Sequence, residues 1–342
     1  MLFRLALLLF FIAMPALAEE GEQHFAELGQ CKLESGQVIE ECRIGYRTFG
    51  QLNAEKSNAV LMPTWLYGNS GELRIHFGNG SSPLHLVDTT RFFGIAIDSL
   101  GNGVSSSPST SKAQQGPDFP AITERDMVEA EYRVMTEVLH LPHLHAVLGL
   151  SMGGEQTFVW SVEHPDFFDL AVPILGTPRL TAYDLQVKRV MIGTILSDPA
   201  YQDGRYTTQP PLKLANLFGN LTLITPELRN AVTPRAAADR YFDKLEGPLP
   251  FDANDRLWQL RAVVALDEIG GRSMADVAKS SKAKFLIIVS GRDHLVNPQP
   301  ALDWAAAIGA PTYVSDGTCA HLIMLCDAAG VSSRVRPFLA GQ

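Results

Sequence analysis

The sequence predicts an α/β fold, with a mostly parallel sheet flanked by helices and one inserted helical cap. Three observations predict it. Short runs rich in Val, Ile, Leu and Phe alternate with longer amphipathic stretches, a pattern typical of a buried parallel sheet. A serine with glycines two positions before and after it directly follows one of these runs, and a long proline-rich interval separates two others.

Six apolar runs are the predicted strands, and the helices between them make βαβ units. The helix between the second and third strands begins at Thr123 with Asp126 three residues later, the spacing of a capping box. Its buried face is predicted to hold Met127, Val134, Met135 and Val138. The predicted strands are 59–62, 92–98, 146–150, 170–175, 285–290 and 312–314.

The interval between the fourth and fifth strands is much longer than a βαβ crossover requires. Residues 177–271 are therefore predicted to form a helical cap over the active edge of the sheet, and residues 19–176 and 272–342 the core. Proline-separated stretches at 184–196, 235–245 and 254–266 are the predicted helices of the cap. The small, polar stretch 105–111 contains a proline and is predicted to be a surface loop.

Residues 1–18 are predicted to be a signal peptide. Arg4 gives a positive start, an apolar run extends from Leu5 to Met14, and Ala16-Leu17-Ala18 matches a cleavage site. A membrane anchor is the alternative, but the run is shorter than the roughly 20 residues that span a bilayer. Cleavage would leave Glu19 first, in a periplasmic or secreted protein without stable membrane insertion.

The overall charge limits the partners of the chain. The net charge of −9 and the pI near 5.5 argue against nucleic acid and anionic membrane surfaces, because both bind clustered Lys and Arg.

The four cysteines of a chain predicted to be exported are expected to be paired. A two-residue turn at Gly36 and Gln37 would place Cys31 directly across from Cys42. Cys319 would then pair with Cys326. Buried free thiols are the alternative, and a zinc site is disfavoured because no Cys-x-x-Cys pair exists.

The segment Gly149-Leu150-Ser151-Met152-Gly153 lies between the third predicted strand and a helix predicted over 156–162. Gly-x-Ser-x-Gly at such a turn is the nucleophile elbow of the α/β-hydrolase fold. The glycines are required because the turn is tight, and a Cβ there would collide with a neighbouring element. The sequence therefore predicts an α/β-hydrolase fold with Ser151 as the nucleophile.

A serine hydroxyl needs a base within hydrogen-bond reach and a carboxylate that orients this base. The order along an α/β-hydrolase chain is serine, acid, histidine. Asp293 follows the fifth predicted strand and His321 follows the sixth, so both fit this order. Asp303 and Asp316 are alternative acids, and His294 is an alternative base.

The tetrahedral intermediate of acyl transfer also needs an oxyanion hole. The N–H of Met152, directly after the nucleophile, is one predicted donor. The loop after the first predicted strand would supply the second, which we assign to Leu66 with Tyr67 as the alternative. Trp65 and Tyr67 are candidates for lining the acyl pocket or for packing.

No metal or cofactor is expected, and the expected partner is a small-molecule acyl substrate. His140, His143 and His145 lie close together in the sequence, but no set of acidic ligands accompanies them.

Several stretches resemble the homoserine O-acetyltransferases, over a region from about Leu33 to Leu325. The resemblance implies a triad of Ser151, Asp293 and His321, an oxyanion hole at Leu66 and Met152, a helical cap, and a homodimer formed through that cap. The stretches are YRTFG (46–50), SNAVL (57–61), RDMV (125–128), SMGG (151–154), PRL (178–180) and FDAN (251–254).

Departures from that family bear on the reaction. The resemblance implies an aspartate after the catalytic histidine, where it helps to hold the amino group of homoserine, but Leu322 stands here. It also implies a cap arginine that binds the substrate carboxylate, and Ile224 aligns with that arginine. Export would in addition separate the protein from cytoplasmic acetyl-CoA.

Three functions follow as alternatives. A hydrolase lets water resolve the acyl-enzyme and needs no amino-acid pocket, so it agrees best with Leu322 and Ile224. A transferase that uses acyl-CoA and homoserine or another hydroxyl acceptor is the second. The third is a catalytically silent binding protein on the same fold.

Overall fold

The structure is a computed structural model that describes residues 21–247 and 250–342. The predicted signal peptide, residues 1–18, lies outside the described residues. The strands are β1 (His24–Lys32), β2 (Val38–Phe49), β3 (Ala59–Pro63), β4 (Phe77–Gly78), β5 (Val87–Asp88), β6 (Phe93–Ile97), β7 (Leu144–Leu150), β8 (Phe168–Ile174), β9 (Lys284–Phe285), β10 (Ile287–Ser290) and β11 (Thr312–Ser315).

The helices alternate with the strands of the core and fill the long interval after β8. They are α1 (Ser70–Leu73), α2 (Glu124–Arg133), α3 (Met152–Glu163), α4 (Ala182–Leu196), α5 (Lys213–Leu221), α6 (Pro226–Val232), α7 (Ala238–Leu245), α8 (Ala253–Val264), α9 (Met274–Ser280), α10 (Gln299–Ile308), α11 (Ile323–Cys326) and α12 (Ala328–Leu339). None of the described helices is long and apolar enough to span a membrane.

A nine-stranded sheet forms the centre of the molecule, in the order β1-β2-β6-β3-β7-β8-β10-β11, with β9 beside β8. β2 pairs antiparallel with β1 and β6, and the pairs from β6 to β11 are parallel. The predicted α/β fold with a mostly parallel sheet is therefore confirmed. Each of the six predicted strands is present, although the fifth is divided between β9 and β10.

Buried apolar side chains cover both faces of this sheet. Along β3, Ala59 and Leu61 pack into the core on one face, and Val60 and Met62 pack into the core on the other. Successive side chains of a strand point to opposite faces. A strand buried on both sides is therefore apolar throughout, which is why β3, β7 and β10 were recognisable as continuous apolar runs.

The predicted register of the β1-β2 hairpin is wrong. Cys42 lies across from Gly29, and Cys31 lies across from Ile39. The turn holds three residues, because the Leu33 N–H donates to the Gln37 carbonyl oxygen at 2.9 Å. Gly36 in this turn has a φ of +80°, as three-residue hairpins require.

Two disulfides are present. A register shift between Gly29 and Cys31 brings Cys31 and Cys42 together diagonally, with their Cα atoms 5.6 Å apart. Cys319 is joined to Cys326, with their Cα atoms 5.9 Å apart. The described residues contain no free cysteine.

Residues 105–111 form a loop as predicted, but its first part is not at the surface, because Ser105, Ser106 and Ser107 are buried. The Arg43 N–H donates to Ser106 Oγ at 2.8 Å, and the Gly45 N–H donates to Ser105 Oγ at 2.9 Å. These N–H groups belong to β2 beyond the residues that pair with β6. The serine hydroxyls thus satisfy strand backbone that would otherwise be buried without a partner.

Helices α4 to α8 occupy the predicted insertion between β8 and β9. They contact the loops at the carboxyl ends of the parallel strands. For example, the Trp258 indole N–H of α8 donates to the Phe119 and Pro120 carbonyl oxygens at 3.1 and 2.9 Å. The division into core and cap at residues 177 and 271 stays a prediction.

Candidate active site

Ser151 lies on the turn between β7 and α3, in a backbone conformation that serine rarely adopts. Its φ is 55° and its ψ is −123°, which is costly for a residue with a Cβ. The Ser151 N–H donates to the Ile174 carbonyl oxygen of β8 at 2.8 Å, so the neighbouring strand holds the turn in place. The side chain is partly exposed.

The two glycines around Ser151 have the steric role that the motif predicts. A Cβ on Gly149 would lie 2.0 Å from the Gly153 carbonyl oxygen, and a Cβ on Gly153 would lie 2.5 Å from the Pro63 carbonyl oxygen. Both distances are far shorter than a van der Waals contact. Only glycine therefore allows the turn to close on itself and α3 to approach the end of β3.

The structure brings His321 and Asp293 to Ser151. His321 Nε2 lies 2.8 Å from Ser151 Oγ, and His321 Nδ1 lies 2.7 Å from Asp293 Oδ2. The side chains of His321 and Asp293 are only 6% and 1% exposed. His321 would become positively charged during a reaction. Asp293 is placed to stabilise this charge, and burial keeps water away from the pair.

The alternative acids and base do not join this chain of hydrogen bonds. His294 is exposed, and its carbonyl oxygen accepts a hydrogen bond from the Tyr183 hydroxyl at 3.2 Å. Asp303 accepts from Gln299 on the same helix at 2.8 Å. Asp316 lies against Gly291, where an added Cβ would be 2.5 Å from its Oδ1.

The three histidines that are close together in the sequence each contact a different group. His140 contacts the Thr136 carbonyl oxygen, His143 contacts Asp169, and His145 contacts the Leu339 carbonyl oxygen. Across the part of the chain that the structure describes, no group of three or more His, Cys, Asp or Glu side chains could hold a metal ion.

Leu66 and Met152 carry the candidate oxyanion donors. Neither N–H donates to a protein acceptor among the described residues. The N–H of Tyr67, the alternative donor, donates to Gln259 Oε1 at 2.8 Å and is therefore occupied. The Gln156 amide of α3 donates to the Thr64 carbonyl oxygen at 3.3 Å, which ties the Leu66 loop to the helix that begins at Met152.

The residues that hold the acid loop were not predicted from the sequence. The Leu295 and Val296 N–H groups donate to Asp293 Oδ1 at 2.8 and 3.0 Å. Lys188 Nζ donates to the Leu295 carbonyl oxygen at 3.4 Å, and the Asn297 N–H donates to Asp184 Oδ1 at 2.8 Å. Helix α4 thus fixes the loop that presents Asp293. The only local signal was a charged pair, Asp184 and Lys188, four residues apart in an apolar helix.

Two buried glutamates lie in the same region as Lys188. Burial raises the pKa of Glu155 to about 7, and the positive charge of Lys188 opposes this rise. Burial, together with the nearby Glu155, raises the pKa of Glu124 well above its usual value. Burial also lowers the pKa of Lys188. Burial thus favours the neutral form of Glu124, whereas the charge of Lys188 favours the ionised form of Glu155.

We expect Lys188→Met to lower the free energy of unfolding by about 3 kcal/mol, because removal of one member of a buried charge group leaves the other uncompensated. Urea denaturation at neutral pH measures this difference. Lys279→Met, at an exposed position of α9, is the control and is expected to change the value by less than about 0.5 kcal/mol. Equal effects of the two substitutions would contradict the proposed role of Lys188.

The chain is similar to known proteins of the alpha/beta hydrolase fold. The model of the alpha/beta hydrolase fold family matches residues 68–328. A homoserine O-succinyltransferase from Hahella chejuensis is 32% identical over 297 residues, which cover 75% of this chain and 76% of that protein. The acetyl esterase MekB has a solved structure with a TM-score of 0.83 at 27% identity, covering 94% of this chain and 97% of that chain.

A shorter match is to an ethyl acetate hydrolase from Pseudomonas veronii. It is 37% identical over 188 residues, which cover 54% of this chain and 53% of that protein. The matched region thus spans about half the length of this relative.

Proposed function

We propose that this chain, which belongs to the alpha/beta hydrolase fold family, is a serine hydrolase that cleaves acyl esters. The observation that carries this proposal is the continuous contact from Asp293 through His321 to Ser151. Relatives named as ester hydrolases support it.

In the proposed mechanism, His321 Nε2 accepts the proton of Ser151 as Oγ attacks the ester carbonyl carbon. Asp293 holds the Nδ1–H and stabilises the imidazolium that forms. The N–H groups of Leu66 and Met152 donate to the oxyanion. His321 then gives its proton to the leaving alcohol, and the acyl-enzyme remains. Water, activated by the same histidine, releases the acid and restores Ser151.

Water is the proposed acyl acceptor because two apolar side chains, Leu322 and Ile224, stand where a homoserine acyltransferase would need charged partners. The His321 N–H donates to the Leu223 carbonyl oxygen at 3.1 Å, so the cap segment with Ile224 lies against the histidine turn. Ile224 is only 8% exposed, and Leu322 follows His321 directly. Neither side chain can pair with the amino or carboxylate group of homoserine, and each charge buried without a partner costs several kcal/mol.

We expect the mature protein, given acetyl-CoA and homoserine, to release free acetate about 10³ times faster than it forms O-acetylhomoserine, because Leu322 leaves the amino group of the acceptor without a partner. Chromatographic measurement of the two products gives this ratio. Leu322→Asp restores a partner for the amino group and should raise any transfer that is detected. If the unmodified protein makes O-acetylhomoserine faster than it hydrolyses acetyl-CoA, transfer is the activity.

Transfer is the second candidate function, because the homoserine O-succinyltransferase relative matches three quarters of the chain. A silent binding protein is the third. A serine-directed phosphonate that labels Ser151 would contradict a silent protein, and the product ratio above separates the other two functions.

Export to the periplasm or medium is also proposed, on the basis of residues 1–18 alone. Mass spectrometry of the exported protein tests it: an N-terminal Glu19 supports processing, and an intact Met1 contradicts it. The homodimer through the cap stays a prediction.

A further inference from the structure

A cavity of about 280 Å³ lies beside the loop that carries the candidate oxyanion donor Leu66. The loop after β3, the loop after β6 and the first turn of α8 form its walls. The residues that matter for its chemistry are Tyr67, Ser109, Asp252, Asp255, Arg256 and Gln259.

Arg256 is a buried cation without an anionic partner. Its side chain belongs to a residue that is only 5% exposed, and one of its terminal nitrogens donates to Asn216 Oδ1 at 2.8 Å. Its Nε has no hydrogen-bond partner among the described residues. A buried guanidinium is costly unless an opposite charge compensates it. None of the described carboxylates forms an ion pair with Arg256, so its guanidinium is free to pair with a negatively charged ligand.

Tyr67 supplies a second unused group at the same place. The Arg256 guanidinium lies over the Tyr67 ring, 5.0 Å from its centre. The Tyr67 hydroxyl is buried and has no hydrogen-bond partner within the described ranges. Burial raises the pKa of Tyr67 to about 12, so the hydroxyl keeps its proton at neutral pH. The charge of Arg256 opposes this rise of the Tyr67 pKa, so the guanidinium and the hydroxyl lie side by side and can donate to one acceptor.

The carboxylates of the cavity are occupied elsewhere. Asp255 accepts from the Ser109 N–H at 2.9 Å and from the Ser109 hydroxyl at 2.5 Å. Asp252 accepts from the Tyr206 hydroxyl at 2.7 Å. The acidic groups are thus held by the neighbouring hydroxyls, while Arg256 and Tyr67 face each other beside the Leu66 loop.

We propose that Arg256 and Tyr67 bind a carboxylate on the ester substrate, which makes this protein selective for esters that carry a negative charge near the scissile bond. The proposal rests on the proposed hydrolase function. Tyr67 follows Leu66 directly, so one loop carries both the candidate oxyanion donor and the Tyr67 hydroxyl that lines the cavity. The carboxylate can belong to the acyl part or to the alcohol part of the ester.

Two matched substrate pairs test the proposal and separate these sources. Monoethyl succinate and ethyl butyrate differ by a carboxylate on the acyl part, and 4-acetoxybutyrate and butyl acetate differ by one on the alcohol part. We expect the full mature protein to prefer the charged ester of one pair. In Arg256→Gln this preference, measured as a ratio of kcat/KM values, should fall about 100-fold. In Tyr67→Phe it should fall about 10-fold.

Arg261→Gln is the control, because it removes a guanidinium from the exposed side of the same helix, where it lies over Trp258. Its preference should equal that of the unmodified protein. The proposal would be overturned if the preference ratio of Arg256→Gln stayed within twofold of that of the unmodified protein. It would also be overturned if the unmodified protein preferred the neutral ester in both pairs. Arg256→Lys retains the charge but loses the paired donors, so it covers the case in which Arg256→Gln does not fold.

Calorimetric titration with monoethyl succinate and with 4-acetoxybutyrate distinguishes failure of this proposal from failure of the hydrolase function. Binding that is lost in Arg256→Gln without turnover of any ester would retain the carboxylate site and reject the hydrolase. Turnover of neutral esters with no binding of either charged ester would retain the hydrolase and reject the site.

Discussion

We expect Ser151→Ala to lower kcat/KM for simple acyl esters by about 10⁶, because loss of a triad nucleophile removes the covalent route entirely. The structure makes this substitution a clean test. The Ser151 backbone is held by its hydrogen bond to β8 and by the packing of Gly149 and Gly153, none of which involves the hydroxyl. The hydrolysis rate and the thermal unfolding temperature are to be measured together.

Ser161→Ala is a matched control for that substitution. Ser161 lies on α3, the helix that follows Ser151, and its hydroxyl donates to the Phe158 carbonyl oxygen at 2.7 Å. Its activity should stay within about threefold of the unmodified protein. Ester hydrolysis by Ser151→Ala within tenfold of the unmodified protein would show that another group is the nucleophile.

The second large effect is expected for Asp293→Asn, at about 10⁴ in kcat. The asparagine carbonyl oxygen can still accept from Leu295 and Val296, so the loop keeps its shape. Its amide nitrogen then faces His321 Nδ1 and donates to it. This donation removes the proton from Nδ1 and places it on Nε2, where it prevents His321 from accepting the proton of Ser151.

Asp303→Asn serves as the comparison, because Asp303 was the alternative acid and contacts only its own helix. It should retain full activity, as measured by steady-state kinetics on the same ester. A loss near 10⁴ in Asp303→Asn or Asp316→Asn, with an active Asp293→Asn, would move the acid assignment to that residue.

The parts of the site that the sequence predicts are those encoded locally. Gly149, Ser151 and Gly153 lie within five residues of each other, and the strain of their turn leaves few other residue choices. His321 and Asp293 could be selected because a parallel sheet gathers the ends of its strands at one edge. The six apolar runs identified the parallel part of the sheet, because strands that are buried on both faces are apolar along their whole length.

The parts that sequence analysis missed depend on contacts between distant segments. Ser105 to Ser107 have the composition of an exposed loop, and only the shortness of β6 relative to β2 makes their hydroxyls necessary in the interior. The three-residue turn around Gly36 shifts every residue pair of the hairpin relative to the register that a two-residue turn predicts. Lys188 resembles any surface lysine of a helix until α4 is packed against the loop that carries Asp293.

The attachment of α4 to the acid loop limits how this protein can be recombined with its relatives. Asp184 and Lys188 lie inside the insertion by sequence, but their contacts with Leu295 and Asn297 make them part of the catalytic framework. An exchange of residues 177–271 between homologues would therefore replace the support of the acid together with the other helices of the insertion. A chimera joined after Leu196, at the end of α4, would exchange helices α5 to α8 and leave the support of Asp293 native.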